Sequence, residues 1–556
     1  MNPTENAVHT LVRDNGFGPF VYSGHEILQR LFVTVRDEAW QETPPSSWIS
    51  TVDEPAGTIR VQARHTTSQL DVEWYGVLTV ADDGRSGSFD LEAITRRSMR
   101  VCRLGLVILH PVYFMVGARI TTEGPEGSGA LTVARRIAPQ RIVGGVLRGM
   151  TPSFSRLLVE RDGVGRLELE LDGDLFELED QRNWGDGSFK TYCTPLRIGF
   201  PRTLDANARI IQRLRWQFTP ARPAKVIRDR RLELTWISGN MPSIGREWVE
   251  RSTSSAESWD HLALDLRSSE QLARLPHRRE LDPNQELEIS VADEVPRSLL
   301  EQASVWMAAQ SARVARLLIY GSGQALPQAD AMAQWRHSLA SVNLGHVPLL
   351  AATRGYFVEL NRAKWGLEPV ADGVAFPHTA TVHGDDPATI IDNVTTLRDM
   401  AETARPLTRR AILALAPLAF YYPRLEPPRT FPPSLTLPWL AANLLQAAAA
   451  GASAVTLDAD VAAVLSGPDL RPLLRRGGSR VILHVDEQQP KLHLALLIRG
   501  DARRWLIVNL DERPVSLRSA GLPQSTDPVL AESHQALVRG GDLGIAPHSV
   551  RWFACS

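Results

Sequence analysis

Residues 176–196 read FELEDQRNWGDGSFKTYCTPL, and within a dozen positions they gather most of what a reaction needs. Glu179, Asp180 and Asp186 are carboxylates; Gln181, Arg182, Asn183 and Lys190 are donors. Such a set makes either a closed ion-pair network that braces a domain or a polar wall that binds a polyol, and the residue types alone leave both open. Three further clusters follow along the chain. Glu359, Asn361 and Arg362 combine a carboxylate for acid–base work, an amide for a substrate hydroxyl and a guanidinium for a developing oxyanion. His378 and His383 precede Asp385 and Asp386, and an imidazole near a carboxylate is the ordinary arrangement for taking a proton from water. Asp458 and Asp460 form the last pair. Ser155 and Ser188 lack the context of a nucleophile elbow, which disfavours a Ser-His-Asp hydrolase. Gly321-Ser322-Gly323 lacks the third glycine and the basic residue of a nucleotide loop and reads as a plain turn. The two histidines lack a clear third ligand, so neither a metal nor another cofactor is expected.

These clusters need elements to hold them. Across residues 31–218 apolar side chains recur with period two, as in Leu31, Val33 and Val35 or Leu167, Leu169 and Leu171, between turns rich in Gly, Asp and Ser. That pattern predicts an antiparallel β-sandwich over residues 1–224, with the first cluster at the tip of a hairpin turned at residues 185–187. Beyond a proline-bearing linker at residues 219–225, eight apolar runs alternate with longer spacers: 232–237, 262–266, 287–291, 314–320, 347–359, 374–378, 411–415 and 454–458. Eight such repeats predict a (β/α)8 TIM-like barrel over residues 225–475. Two spacers read as helices. Residues 387–405 place Ile390, Ile391, Val394, Leu397 and Met400 on one face, and residues 436–450 open with Thr436 as a cap and an early Pro438. Residues 242–259 show little apolar periodicity. Reacting groups in such barrels sit at the carboxyl ends of strands, which on this count are residues 359–362, His378 and Asp458. Alternation returns from Val481 and predicts a small β-sandwich over residues 476–556.

Sixty-one basic and 63 acidic residues leave a net charge of −2, without the basic excess that nucleic acid or an anionic membrane surface would favour. Cys102, Cys193 and Cys555 are sparse and odd in number, which argues against a disulfide framework and for a reducing compartment. The opening residues, MNPTENAVHTLVRDN, lack a basic region followed by an apolar one, and no apolar run is long enough to span a bilayer. The expectation is a cytoplasmic protein that meets a small molecule rather than nucleic acid or membrane, with a homo-oligomer left open.

The stretch at residues 179–192, EDQRNWGDGSFKTY, resembles the signature of the D-apionate lactonase family, whose members hydrolyse the lactone of a branched-chain sugar acid. Three stretches agree with it in order: GHEILQRLFVTVRDEAW at residues 24–40, GLVILHP at 105–111 and YFVELNR at 356–362. The resemblance implies a hydrolase that turns D-apionolactone and water into D-apionate in apiose catabolism. On that reading Glu359 or His383 is the base, Arg362 the carbonyl or oxyanion donor, and Asn361 with Asp385 the hydroxyl ligands. His378, Asp458 and, from the hairpin, Asp180, Arg182, Asn183 and Lys190 complete the expected substrate-binding set. This chain departs from the family pattern in three places. It reads PHTATVH where a Pro-Gln-x-His run is expected, AATRG where Gly-Gly-Thr is expected before Tyr356, and Ala459 where a Glu precedes Thr, Thr and Gly. Two rivals remain: a glycoside hydrolase, whose carboxylate pair is commonly placed on strands four and seven, a placement not met on this count, and would here be Glu359 with Asp458; and a homologue that binds a sugar acid without turning it over.

Overall fold

Strand formation in the N-terminal half follows from one wet face and one dry face. Along Thr58–Thr66, Asp71–Val80 and Ser86–Thr95 buried residues alternate with exposed ones, the period of a pleated strand. The computed structural model describes residues 8–13, 15–221, 235–248, 259–266, 268–275, 285–310, 313–323, 325–363, 370–421, 431–465, 479–485, 491–499, 502–517 and 543–554. It divides into two compact units, one made of Met1–Gln181 and Gly187–Asp229, the other of Arg182–Asp186 and Arg230–Ser556.

In the first unit a seven-stranded and a nine-stranded sheet, both antiparallel, share one apolar core that includes Phe17, Leu31, Trp74, Phe89, Leu169 and Trp216. This is the predicted sandwich. At about 1.5–3 kcal/mol for each large apolar side chain removed from water, that shared core is its main source of stability. The hairpin read from the sequence consists of Phe176–Asp180 and Ser188–Cys193, paired from Phe176↔Cys193 to Asp180↔Phe189. Its second strand also pairs with Met99–Pro111, so the hairpin is the edge of the seven-stranded sheet. Polar side chains lock its flank. Lys190 Nζ lies 2.7 Å from Glu179 Oε2, Gln140 Nε2 donates to Glu179 Oε1 at 2.9 Å, and Tyr192 donates to Glu177 at 2.9 Å. Burial holds the Lys190 amine below its usual range despite the Glu179 charge beside it.

The second unit contains a closed barrel of eight parallel strands. They are Ser243–Glu247, His261–Asp265, Glu286–Ala292, Val314–Tyr320, Leu349–Ala352, Gly373–Thr381, Ile412–Tyr421 and Ala454–Leu457. The eighth closes on the first through Ser243↔Ala454 to Arg246↔Leu457. Low in the barrel a chain of buried polar groups ties five strands together. The Ser243 hydroxyl meets His261 Nδ1 at 2.8 Å, His261 Nε2 meets Thr456 Oγ1 at 2.9 Å, Thr456 donates to Glu288 at 2.6 Å, and Arg316 donates to Glu288 at 3.1 Å. Every member has a partner, as a buried network must to repay its desolvation.

Several predicted elements move. The first barrel strand is Ser243–Glu247, not residues 232–237; of the latter, residues 235–237 fall in Thr235–Asn240, which pairs with Arg480–Val485 in a different sheet. The true first strand hides because its interior neighbours are polar and because Gly245 makes room for His261, whose Cδ2 would lie 2.3 Å from a Cβ there. Strand five stops at Ala352, and residues 357–362 form a short helix, Phe357–Arg362, whose Phe357, Val358, Leu360 and Asn361 are buried. Glu359 and Arg362 therefore stand on a helix after the strand, not at a strand end. Strand six continues past His378 to Thr381, and strand seven past residue 415 to Tyr421. The helix expected over residues 387–405 is two, Pro387–Asn393 and Thr396–Ala404, the first capped by Asp386, which accepts from Thr389 N at 3.1 Å. The next runs Pro433–Ala449; Thr436 lies inside it and donates to Pro433 O instead of capping.

The C-terminal strands Arg480–Val485, Leu492–Arg499, Ala502–Asn509 and Ser549–Ala554 join Thr235–Asn240 in a five-stranded sheet against which Pro433–Ala449 packs. Val515–Leu517 and Leu543–Ile545 make a two-stranded ribbon. Residues 222–225 of the expected linker, the expected boundary at 475–476 and Cys555 lie outside the described residues. Among the described residues no helix is long and apolar enough to cross a membrane.

Candidate functional site

The hairpin tip, Arg182–Asp186, belongs to the barrel's unit, and three polar contacts hold it there. Arg182 Nη1 donates to Asp399 Oδ2 at 2.8 Å, with the two side chains 1% and 2% exposed. Asn361 Nδ2 donates to Asn183 Oδ1 at 2.8 Å in a fully buried amide pair. The Thr396 hydroxyl shares its proton between Gly185 O at 2.9 Å and Asn393 O at 2.7 Å. Asp399 sits on the buried face of Thr396–Ala404, and Asn361 on that of Phe357–Arg362. Two helices of the barrel thus fix the tip.

Trp184, at the centre of the tip, gathers three side chains. The Tyr356 ring meets it edge-on at 5.6 Å, the His383 ring at 5.7 Å and 83°, and the Arg362 guanidinium lies 5.6 Å from its ring centre. Arg362 Nη1 also donates to Glu359 Oε1 at 3.1 Å. Beside Trp184, Asp186 Oδ2 lies 2.5 Å from His383 Nδ1; the carboxylate is buried and the imidazole 25% exposed. An ionised carboxylate only accepts, so His383 Nδ1 is the donor, and in the neutral imidazole this leaves the lone pair on Nε2. Such an imidazole is held in one tautomer, ready to take a proton from a bound water.

His378 lies behind the tip. Its Nε2 lies 3.1 Å from Asn443 Oδ1, and Asn443 Nδ2 donates to Trp439 O at 2.9 Å. Asn443 therefore offers His378 only its oxygen, which fixes the Nε2–H tautomer. Burial pushes this imidazole down to about 4, so it is neutral at physiological pH. Its Nδ1 is buried without a hydrogen-bond partner among the described residues, and a Cβ on Gly185 would stand 4.0 Å from it.

The expected residues are therefore placed as follows. His383, Arg362, Glu359, Arg182 and Asn183 converge around Trp184 or anchor it. Asn361 spends its amide nitrogen on Asn183. Asp385 is exposed in the loop before the cap Asp386, and the carboxylate in contact with His383 is Asp186. Asp458 follows strand eight and caps the short helix Ala459–Val464, accepting from Val461 N at 2.8 Å; burial pushes its carboxyl up to about 6. Asp180 and Lys190 belong to the sandwich unit, where Lys190 is paired with Glu179. Sequence reasoning passed over Trp184, Asp186, Tyr356 and Asp399 as site residues. For the first two the signal was their position inside the matched motif; for Asp399 it was a carboxylate next to Met400 on an apolar helix face. The carboxylate pair of a retaining glycosidase on strands four and seven is not found among the described residues. Strand four is followed by Gly321 and Ser322, and Ile412–Tyr421 carries no acidic residue.

A family model described as the N-terminal domain of D-apionate lactonase matches residues 4–221, and one described as the D-apionate lactonase TIM barrel domain matches residues 261–427. The D-apionate lactonase of Brucella anthropi is 27% identical over 243 residues, which cover 42% of this chain and only 38% of that relative's length. Among solved structures, a β-arabinopyranosidase overlaps 95% of this chain and 94% of its own at 11% identity and a TM-score of 0.30. A glycoside hydrolase family 36 α-galactosidase from Geobacillus stearothermophilus overlaps 94% of this chain and 88% of its own at 9% identity and a TM-score of 0.28. Overlaps of that quality do not establish a common fold. The two domain models are matched in order by the sandwich and the barrel, and the matched residues include the hairpin tip, His378 and His383: the chain belongs to the D-apionate lactonase family.

Proposed function

We propose that this chain is a hydrolase that opens the lactone of a sugar acid, with D-apionolactone as substrate and D-apionate as product. Family membership supports the reaction class. The observation that carries the residue assignment is the Asp186–His383 pair, whose Nε2 has no partner among the described residues and stands beside the Arg362–Trp184 contact.

In this mechanism His383 Nε2 takes a proton from water as the water oxygen attacks the lactone carbonyl carbon. Asp186 keeps the imidazole in the productive tautomer and offsets the charge it gains. Arg362 donates to the oxyanion of the tetrahedral intermediate, and Glu359 keeps the guanidinium oriented. Collapse breaks the ring carbon–oxygen bond, and the departing alkoxide takes the proton back from His383. The resulting acid ionises near neutral pH, so each turnover releases one proton.

The test is proton release in weakly buffered solution on D-apionolactone and a panel of aldonolactones. His383→Ala should lower the rate roughly 10²–10⁴-fold, the usual worth of a general base. Glu359→Ala should cost far less, because its carboxylate only steers Arg362. An unchanged rate in His383→Ala would move the base elsewhere, and silence on every lactone would leave sugar-acid binding without turnover as the better reading.

A further inference from the structure

Two buried acceptors in the barrel's unit face no donor among the described residues. Asp186 Oδ1 and His378 Nδ1 are both without a hydrogen-bond partner among the described residues. Asp186 is 3% and His378 2% exposed. They flank one residue: Asp186 follows Gly185, and a Cβ on Gly185 would stand 4.0 Å from His378 Nδ1. Neither atom can turn itself into a donor. The Asp186 carboxylate only accepts, and its other oxygen holds His383. The His378 proton is committed to Asn443 Oδ1, and the Asn443 amide nitrogen donates to Trp439 O. A single buried acceptor without a donor is costly, and two beside one glycine next to the general base are placed to take donors from a bound molecule.

We infer that Asp186 Oδ1 and His378 Nδ1 form a hydroxyl-reading subsite, each accepting a hydrogen bond from a ring hydroxyl of the substrate. The chemistry of a lactone leaves no other choice of group, since its carbonyl and ring oxygens are acceptors and only its hydroxyls donate. The subsite selects polyhydroxylated lactones over plain ones, and it couples recognition to catalysis because one carboxylate binds a substrate hydroxyl with one oxygen and orients the base with the other. The low pKa of His378 keeps its lone pair available throughout the neutral range. This inference rests on the lactonase reading and names the part of the substrate that the site inspects.

Two measurements on the full chain test it. In the first, kcat/KM for a dihydroxylated γ-lactone is compared with that for γ-butyrolactone. A site built around hydroxyl donors should reject the plain lactone by roughly 10³–10⁵-fold, and rates within tenfold overturn the subsite. The second follows the ¹⁵N resonance of His378 Nδ1 during titration with a hydroxylated γ-lactam, with 2-pyrrolidinone as control. Movement toward the hydrogen-bonded position with the hydroxylated lactam alone is the expected result. No movement at the highest soluble lactam concentration, or a resonance already at the hydrogen-bonded position in the free protein, as a permanently held water would give, overturns the subsite. The failures are separable. Silence on all lactones with a moving His378 signal sinks the lactonase reading and keeps the hydroxyl subsite; fast hydrolysis of γ-butyrolactone does the reverse.

Discussion

Replacing Arg182 by Met should unfasten the tip that carries Trp184 and Asp186. The pair it breaks is held at 2.8 Å with both side chains at most 2% exposed. At an effective dielectric constant of about 20, two unit charges at that distance attract by roughly 6 kcal/mol, against a desolvation penalty of several kcal/mol for each ion. The intact pair therefore contributes little net stability, whereas a buried Asp399 left without Arg182 should cost about 3–5 kcal/mol. Asp399→Leu should cost a similar amount for the same reason. The double change removes both charges together and should recover most of that loss, leaving a strong non-additive coupling. Thermal unfolding of the four proteins, read by circular dichroism at fixed scan rate, measures the cycle. Proton release at a temperature where all four are folded measures the consequence for the site, and Arg182→Met should be slow there as well as unstable. Single changes that each cost less than about 1 kcal/mol, or a double change that costs their sum, would refute the reasoning.

Asp186→Asn keeps the shape of the orienting group but removes its charge and can present the wrong hydrogen-bonding edge to His383. A fall in kcat of roughly 10²–10⁴-fold is expected in the proton-release assay, by analogy with the loss seen when a triad aspartate becomes asparagine, and less than tenfold would remove Asp186 from the mechanism. For Asp458, burial raises the folded-state carboxyl to about 6 from an ordinary value near 4. The folded chain therefore binds this proton more tightly than the unfolded one, and the contribution of Asp458 to stability falls as pH rises from about 4 to about 6. Partial exposure limits the fall to about 1–3 kcal/mol. Asp458→Asn keeps a good cap on Ala459–Val464 and should flatten that slope; unfolding curves between pH 4 and pH 7 with the same slope in both proteins would show that another group is responsible.

What could be read from the sequence was whatever has a local period. Thr58–Thr66 announced itself because one face is dry and the other wet, and the hairpin because Gly-Asp-Gly follows an alternating run. Seven of the eight barrel strands were legible for a different reason, as continuous apolar runs separated by longer spacers. Strand one was not, because Ser243 and Gly245 serve a polar chain through His261 and leave no apolar signature. Phe357–Arg362 was taken for the end of a strand because six residues span less than two helical turns, too few to show a 3.6-residue period. The site itself depends on pairings that no local pattern reports. His383 and Asp186 are 197 positions apart, and Arg182 and Asp399 are 217 apart. Asp186 looked like turn punctuation, and Asp385 looked like the nearer partner for His383 because it is closer in sequence. Trp184 was visible only as a letter in a motif, and Asp186 only as one carboxylate of the hairpin cluster, without a partner assigned to it.

The border drawn along the chain and the border drawn in space differ by the five residues Arg182–Asp186. An isolated barrel expressed from residue 230 onward would keep His383 and lose Asp186, Trp184 and Arg182 together. Recombining it behind a foreign sandwich would discard the orienting carboxylate with the domain thrown away. On the proposed mechanism the barrel needs those five residues as well, and a directed-evolution library confined to residues 230–556 would sample only part of the site.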